Sequence, residues 1–164
     1  MPIRTLCAIS LGLICSALAL TGCRQSHSTA ANRYYHIADE NWDTQDTARF
    51  ILDSIPYEGY YRLSLQLRTT SELPLQKIYL VAEQRYESPP SYRKDTVCVL
   101  LTDTTGKRLG AGVGLSSYTV ATKPLIHIRK GQSGQIKVYH IMRRTQLKGI
   151  ADIGIVLKNE NSSY

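Results

Sequence analysis

Residues 61–68 read Tyr61-Arg62-Leu63-Ser64-Leu65-Gln66-Leu67-Arg68. Apolar and polar side chains alternate there without a break. A strand turns successive side chains to opposite faces, so this octet describes a half-buried strand with one face on a core and one in water. The same pattern returns in residues 77–85, where Ile78, Leu80 and Ala82 face Lys77, Tyr79, Val81 and Glu83 across the backbone. It returns again in residues 134–143 (Ile136, Val138, His140, Met142) and 150–158 (Ile153, Ile155, Leu157). Residues 95–102 are apolar on both faces, which predicts a central strand with Cys98 buried inside it as a small hydrophobe. Weaker strand signals lie at 33–37, 49–55, 116–120 and 126–129. Turn chemistry separates these runs: Asp103-Thr104-Thr105-Gly106, Ser88-Pro89-Pro90-Ser91, and Lys130 to Gly134. Residues 141–150 break the alternation and read as a tight crossover with one 3₁₀ turn. Short strands at this spacing, without helical periodicity between them, predict an all-β chain. Its expected form is a single antiparallel β-sandwich, jelly-roll or immunoglobulin-like, with a closed barrel as the alternative.

The N-terminal segment has a different character. Arg4 precedes an apolar run at residues 6–20, which is too short for a spanning helix and matches the charged and apolar regions of a secretory signal. Leu20-Thr21-Gly22-Cys23 follows at once and resembles a bacterial lipobox, in which the Cys is diacylated and becomes the new N-terminus. The expected organisation is a lipoprotein signal peptide at 1–22, a polar tether at 23–32 and the sandwich at 33–164. Cys23 is then the lipid anchor, and the membrane is a partner through that covalent lipid. Cys7 and Cys15 leave with the signal, so Cys98 is the one thiol remaining and no intramolecular disulfide forms. Stability rests on a hydrophobic core, and a chain of about 140 residues buries roughly two-thirds of its unfolded surface.

Charge is unevenly spread. The formal net charge of the whole chain is +7, with 20 Lys+Arg against 13 Asp+Glu. From Cys23 to Arg93 the balance is −1, and from Lys94 onward it is +7. The basic set Arg129, Lys130, Arg143, Arg144 and Lys148 suggests a surface for an anionic partner such as lipid headgroups or protein. An exported lipoprotein is not expected to meet nucleic acid.

Candidate chemistry is sparse. Gly110, Gly112 and Gly114 fall at period two on one face of an extended segment. No Lys-Ser/Thr or helix follows them, so they read as a site of close approach or a bulge rather than a phosphate loop. Asp39, Glu40, Asp43 and Asp46 surround Trp42 without the spacing of a calcium loop and read as a solvated loop. His27, His36, His127 and His140 lack ligand spacing, and His140 is expected in the core with a hydrogen bond. Glu58 and Glu83 have nothing in the sequence that brings them together. No catalytic residues, metal or cofactor are expected. Tyr57, Tyr60, Tyr61, Tyr86 and Tyr92 offer the alternative of an aromatic platform for glycan.

Three elements carry a resemblance. Asp95-Thr96 opens an apolar strand; Asp103 and Gly106 form a turn leading to Gly110, Gly112 and Gly114; and Met142-Arg143, Leu147, Gly149-Ile150, Asp152-Ile153-Gly154 end the chain. In order and spacing they resemble the GldH family of gliding-motility lipoproteins of the Bacteroidota. In that family a Trp usually precedes the glycines, and Lys107-Arg108-Leu109 stands there in this chain. The resemblance implies a non-enzymatic accessory or assembly component of the gliding and secretion apparatus that binds other envelope proteins. It brings no catalytic residues with it. Surface lipoproteins of this phylum often carry acids after the acylated Cys. Residues 24–28 have none, so a periplasm-facing domain is expected.

Overall fold

The computed structural model describes residues 29–162, so the signal segment 1–22, Cys23 and His27 lie outside the described residues. The elements in chain order are β1 (Thr29–His36), a 3₁₀ turn (Ala38–Glu40), β2 (Asn41–Asp43), β3 (Ala48–Leu52), β4 (Gly59–Thr69), β5 (Lys77–Tyr86), β6 (Ser91–Leu100), β7 (Ser116–Ala121), β8 (Ile126–Ile128), β9 (Gly134–His140), β10 (Gln146–Lys148), β11 (Ile150–Asn159) and a final 3₁₀ turn (Glu160–Ser162).

Two antiparallel sheets form the sandwich. One runs β1-β11-β4-β7, with β8 also pairing β4, and the other runs β3-β9-β5-β6. The alternation at residues 61–68 becomes the longest strand, β4, in which Tyr61, Leu63, Leu65, Leu67 and Thr69 are buried. They meet Ile153, Ile155 and Leu157 of β11 on the same inner face. From the facing sheet come Phe50 and Leu52, Ile78 and Leu80, and Ile136 and Val138. Each such side chain contributes ~1.5–3 kcal/mol on burial. Among the described residues Cys98 is the cysteine present, and it is a free thiol.

A two-stranded ribbon, β2 with β10, closes one end of the sandwich. Trp42 sits opposite Leu147 in that ribbon, and both are buried. The Trp42 indole N–H donates to the Asp46 carbonyl at 3.0 Å, and its ring meets the His140 ring edge-on at 5.1 Å. Three residues are too few for a period to show, which explains why both segments read as irregular: the acidic stretch as a solvated loop and residues 141–150 as a crossover.

Other expectations change as well. Strand β1 begins at Thr29 rather than Arg33, so Thr29, Ala31 and Asn32 of the expected tether range are paired with β11, across a bulge at Ala30. Residues 95–102 do not form a central strand: among the described residues β6 pairs only with β5 and lies at the edge of its sheet. Its inward residues Val97 and Val99 are buried, while Cys98 and Leu100 point out of the sheet and are exposed. The register also fixes which loops share an end. Thr29 aligns with Lys158 and, through it, Arg62, near the start of β4. That end holds residues 53–58 and 129–133, tied together by Ile55 and Gln132. The opposite end holds the β2–β10 ribbon and residues 101–115.

Candidate interaction surfaces

The residues that carry the resemblance do not converge on one site. Asp103 builds a turn: its Oδ1 accepts from the Thr105 amide at 2.8 Å, the Thr105 hydroxyl at 2.7 Å and the Lys107 amide at 2.9 Å. The Thr105 hydroxyl, first among these donors, holds the Asp103 carboxyl below the usual carboxylate range. Gly106 closes the turn at φ +86°. The glycines after it are not one extended face. Gly112 and Gly114 sit at φ +127° and +81°, whereas Gly110 lies against the ring of Tyr118. Its absent side chain lets that ring in, and the Tyr118 hydroxyl donates to the Leu101 carbonyl at 3.1 Å.

The closing motif is likewise architectural. The Met142 sulfur accepts the Tyr79 amide at 3.4 Å, and Arg143 is exposed. Gly149, at φ +92°, passes against the backbone of Leu73. Gly154 leaves room for the Tyr34 ring on the outer face of the first sheet, and the Arg68 guanidinium stacks over that ring at 4.0 Å. Asp152 beside it binds His36 at 3.1 Å and reaches Arg68 at 3.9 Å. Asp95 pairs with Arg93 at 3.0 Å, and Thr96 is exposed on β6.

The remaining sequence candidates separate. Seven-residue β9 divides Arg129 and Lys130 from Arg143, Arg144 and Lys148, at roughly 3.4 Å per residue, so the basic set forms no single patch. Tyr61 and Tyr86 are buried, so the five tyrosines form no platform. Glu58 pairs with His127 at 3.4 Å, while Glu83 takes the Tyr139 hydroxyl at 2.8 Å and Lys94 at 3.2 Å. Those two donors, Tyr139 before Lys94, hold the Glu83 carboxyl below its usual value. His140 is a core histidine as expected, with Nε2 at 3.3 Å from the Trp42 carbonyl oxygen. Among the described residues no group of His, Cys, Asp and Glu is arranged to hold a metal ion.

What sequence reasoning missed is the outer edge of the second sheet. Leu100 is 58% exposed and Leu109 54% exposed, with Cys98 between β5 and open solvent. They flank a shallow groove of about 410 Å³, which also touches Val99, Tyr118 and Val120. Tyr79 of β5 and Ile141, just past the end of β9, continue the exposed apolar surface. The other half of β6 is different: Arg93, Asp95 and Lys94 are engaged in ion pairs there. Charges of that kind discourage stray pairing at a sheet edge, and the apolar half lacks them.

The family model described as GldH lipoprotein matches residues 29–157, which is the sandwich from its first strand almost to the end of its last. The chain belongs to the GldH lipoprotein family. Lipoproteins are anchored to membranes of the cell envelope through lipid, and among the described residues no helix is long and apolar enough to cross a membrane. No curated protein matches the chain. Among solved structures it is similar to Eiger TNF from S. frugiperda at 10% identity and a TM-score of 0.36, covering 79% of this chain and 92% of that one.

Proposed function

We propose that this chain is a lipid-anchored, periplasm-facing envelope protein, acylated at Cys23. Its role is that of a non-enzymatic accessory component of the gliding and secretion machinery, docking other envelope proteins. The observation that supports docking is the open apolar half of β6. Its backbone has no strand partner on one side among the described residues, and Leu100 and Leu109 stand exposed beside it. An extended segment of a partner adds to such an edge through main-chain hydrogen bonds, with alternate side chains filling the groove. This half of β6 lies at the end of the sandwich away from Thr29, and so away from the anchor.

The test is a Leu100→Asp, Leu109→Asp variant in the native host, compared with the parent chain after cross-linking. Equal abundance and equal membrane association, together with loss of defined envelope partners and of surface spreading or secretion, is the expected result. Unchanged partners and unchanged spreading refute the docking edge. Protease shaving of intact cells tests orientation: a resistant domain is expected, and rapid loss means surface display.

Glycan binding is a second reading, favoured by one observation. Cavities of about 470 and 370 Å³ flank Arg85, lined by Asp53, Glu87, Ser133, Gln135 and the half-exposed Tyr92. Retention on a peptidoglycan or polysaccharide column, lost in Tyr92→Ala, distinguishes it from the docking role.

A further inference from the structure

We propose that the Thr29 end of the sandwich rests on the bilayer through a tyrosine-rich corner formed by Tyr57, Tyr60 and Leu125. This rests on the reading of Cys23 as the lipid anchor. Five residues separate Cys23 from Thr29, and an extended chain spans at most ~3.3–3.6 Å per residue, so the acyl chains lie within roughly 20 Å of Thr29. The register then says what else lies at that end. Thr29 aligns with Lys158 and Arg62, and the strands beyond bring Tyr60 opposite His127. At roughly 4.8 Å between strands, β8 stands about 14 Å across the sheet from β1.

The corner has the chemistry of a membrane interface. Tyr57 is 42%, Tyr60 50% and Leu125 37% exposed. The Tyr60 ring is held edge-on to His127 at 5.1 Å, and His127 is in turn held by Glu58 at 3.4 Å. Tyrosine rings carry an apolar body and a polar tip, which suits the headgroup layer. On zwitterionic lipid charge does not drive this contact. Arg85, Lys123, Arg129, Lys130 and Lys158 at this end exceed Asp53, Glu58 and Glu87 by two, all exposed, while Arg62 is paired with Glu160. On phosphatidylcholine the contact is therefore one of aromatic and aliphatic burial, indifferent to salt, and the basic excess adds to it only on anionic lipid. It orients the domain with the apolar half of β6 pointing away from the membrane.

The test uses the acylated full chain in phosphatidylcholine vesicles with Cys98→Ser, carrying one environment-sensitive thiol label at a time. Labels go at Leu125→Cys and Lys130→Cys, with Lys107→Cys and Arg144→Cys at the opposite end as references. Nitroxide lipids labelled at the headgroup supply the quencher. Quenching at positions 125 and 130 several-fold greater than at 107 and 144, unchanged by 0.5 M salt (about a 4 Å screening length), is the expected result. Tyr57→Ser with Tyr60→Ser should lower quenching at 130 toward the reference while flotation with the vesicles persists. Equal quenching at both ends of a floating chain overturns this inference alone. Self-quenching at 125 without lipid quenching also overturns it, because a second copy then covers the corner. A chain that lacks acyl mass and does not float overturns the anchor at Cys23, and this inference with it.

Discussion

Alanine at Gly149 should be among the most damaging single-methyl changes in this protein, and its cost can be divided. Gly149 sits at φ +92°, and a Cβ there would lie 2.6 Å from the Leu73 amide nitrogen and 3.1 Å from its Cα. Both atoms are backbone and neither can swing aside. The segment is pinned as well, since the Gly149 amide donates to the Glu40 carbonyl at 2.7 Å and its carbonyl accepts the Thr70 amide at 2.9 Å. Left-handed backbone costs an L-residue ~1–2 kcal/mol. Forcing an extra carbon into packed surroundings costs ~1–3 kcal/mol. Gly149→Ala should therefore lose ~2–5 kcal/mol, a large share of the ~5–15 kcal/mol that a domain has in total. Two controls isolate the parts. Gly106 shares the conformation at φ +86° with nothing within 4 Å, so Gly106→Ala should lose only the ~1–2 kcal/mol of strain. Gly110 has no left-handed φ but meets the Tyr118 ring at 2.6 Å, so Gly110→Ala should lose only the ~1–3 kcal/mol of crowding. Urea unfolding followed by circular dichroism measures all three, and in melting temperature each kcal/mol is worth roughly 4 °C. A Gly149→Ala variant no less stable than Gly106→Ala would refute the reasoning.

Trp42→Ala removes the largest side chain of the end ribbon, which is fully buried, and should cost ~3–5 kcal/mol in the same unfolding assay. Cys98 is exposed on β6, so maleimide should label it in the native protein as fast as in urea; protection that vanishes on unfolding would mean it is buried. His140 makes stability depend on pH, because burial lowers its imidazole below the ordinary value. The contribution is intact above about pH 6.5 and is lost as pH falls, because the unfolded chain takes up a proton that the folded one refuses. Urea midpoints at pH 7.5 and 5.5 should differ by up to ~1.4 kcal/mol more in the parent than in His140→Phe.

The sandwich was legible wherever a strand was long enough for its period to show. Residues 61–68 gave away their own inner face, and Tyr61 fell on it correctly because alternation, not residue type, decided its side. The same held for Ile136, Val138 and His140. Residues 95–102 misled because hydropathy reports apolar faces but not neighbours. Leu100 and Cys98 are apolar and look outward, where no second sheet covers them. That is the same fact that makes the edge a candidate surface, so the misreading and the site have one cause. Trp42 was obscured in another way. Four acids around it advertise a wet loop, yet those side chains face out while the indole faces in, and in a three-residue strand one residue is all that points inward. The basic residues illustrate the limit of composition: adjacency in the chain grouped Arg129 with Lys130, but only register reveals that Arg143 and Arg144 lie at the other end of β9.

Family membership and molecular role draw on different residues of this protein. Asp103 ties a turn, Gly110 and Gly154 each admit a tyrosine ring, Gly149 threads a crowded crossing, and Leu147 backs Trp42. All of these act inside the molecule, so a chain can keep every one of them and still change its partner. The exposed apolar side chains beside the groove, Leu100 and Leu109, do no comparable internal work. Where the resembling family usually places a Trp before the glycines, this chain has Lys107-Arg108-Leu109, and Arg108 is turned back to the Thr69 hydroxyl at 3.3 Å and the Ser71 carbonyl at 2.9 Å. Leu109 alone is left to present an apolar face. Beside the groove Leu109 stands with Leu100, Val99, Tyr118 and Val120 as its apolar lining. The outer side of β6 has no strand partner among the described residues, and it is on this side, beside Leu100 and Leu109, that the docking edge proposed above would take an extended segment by main-chain register.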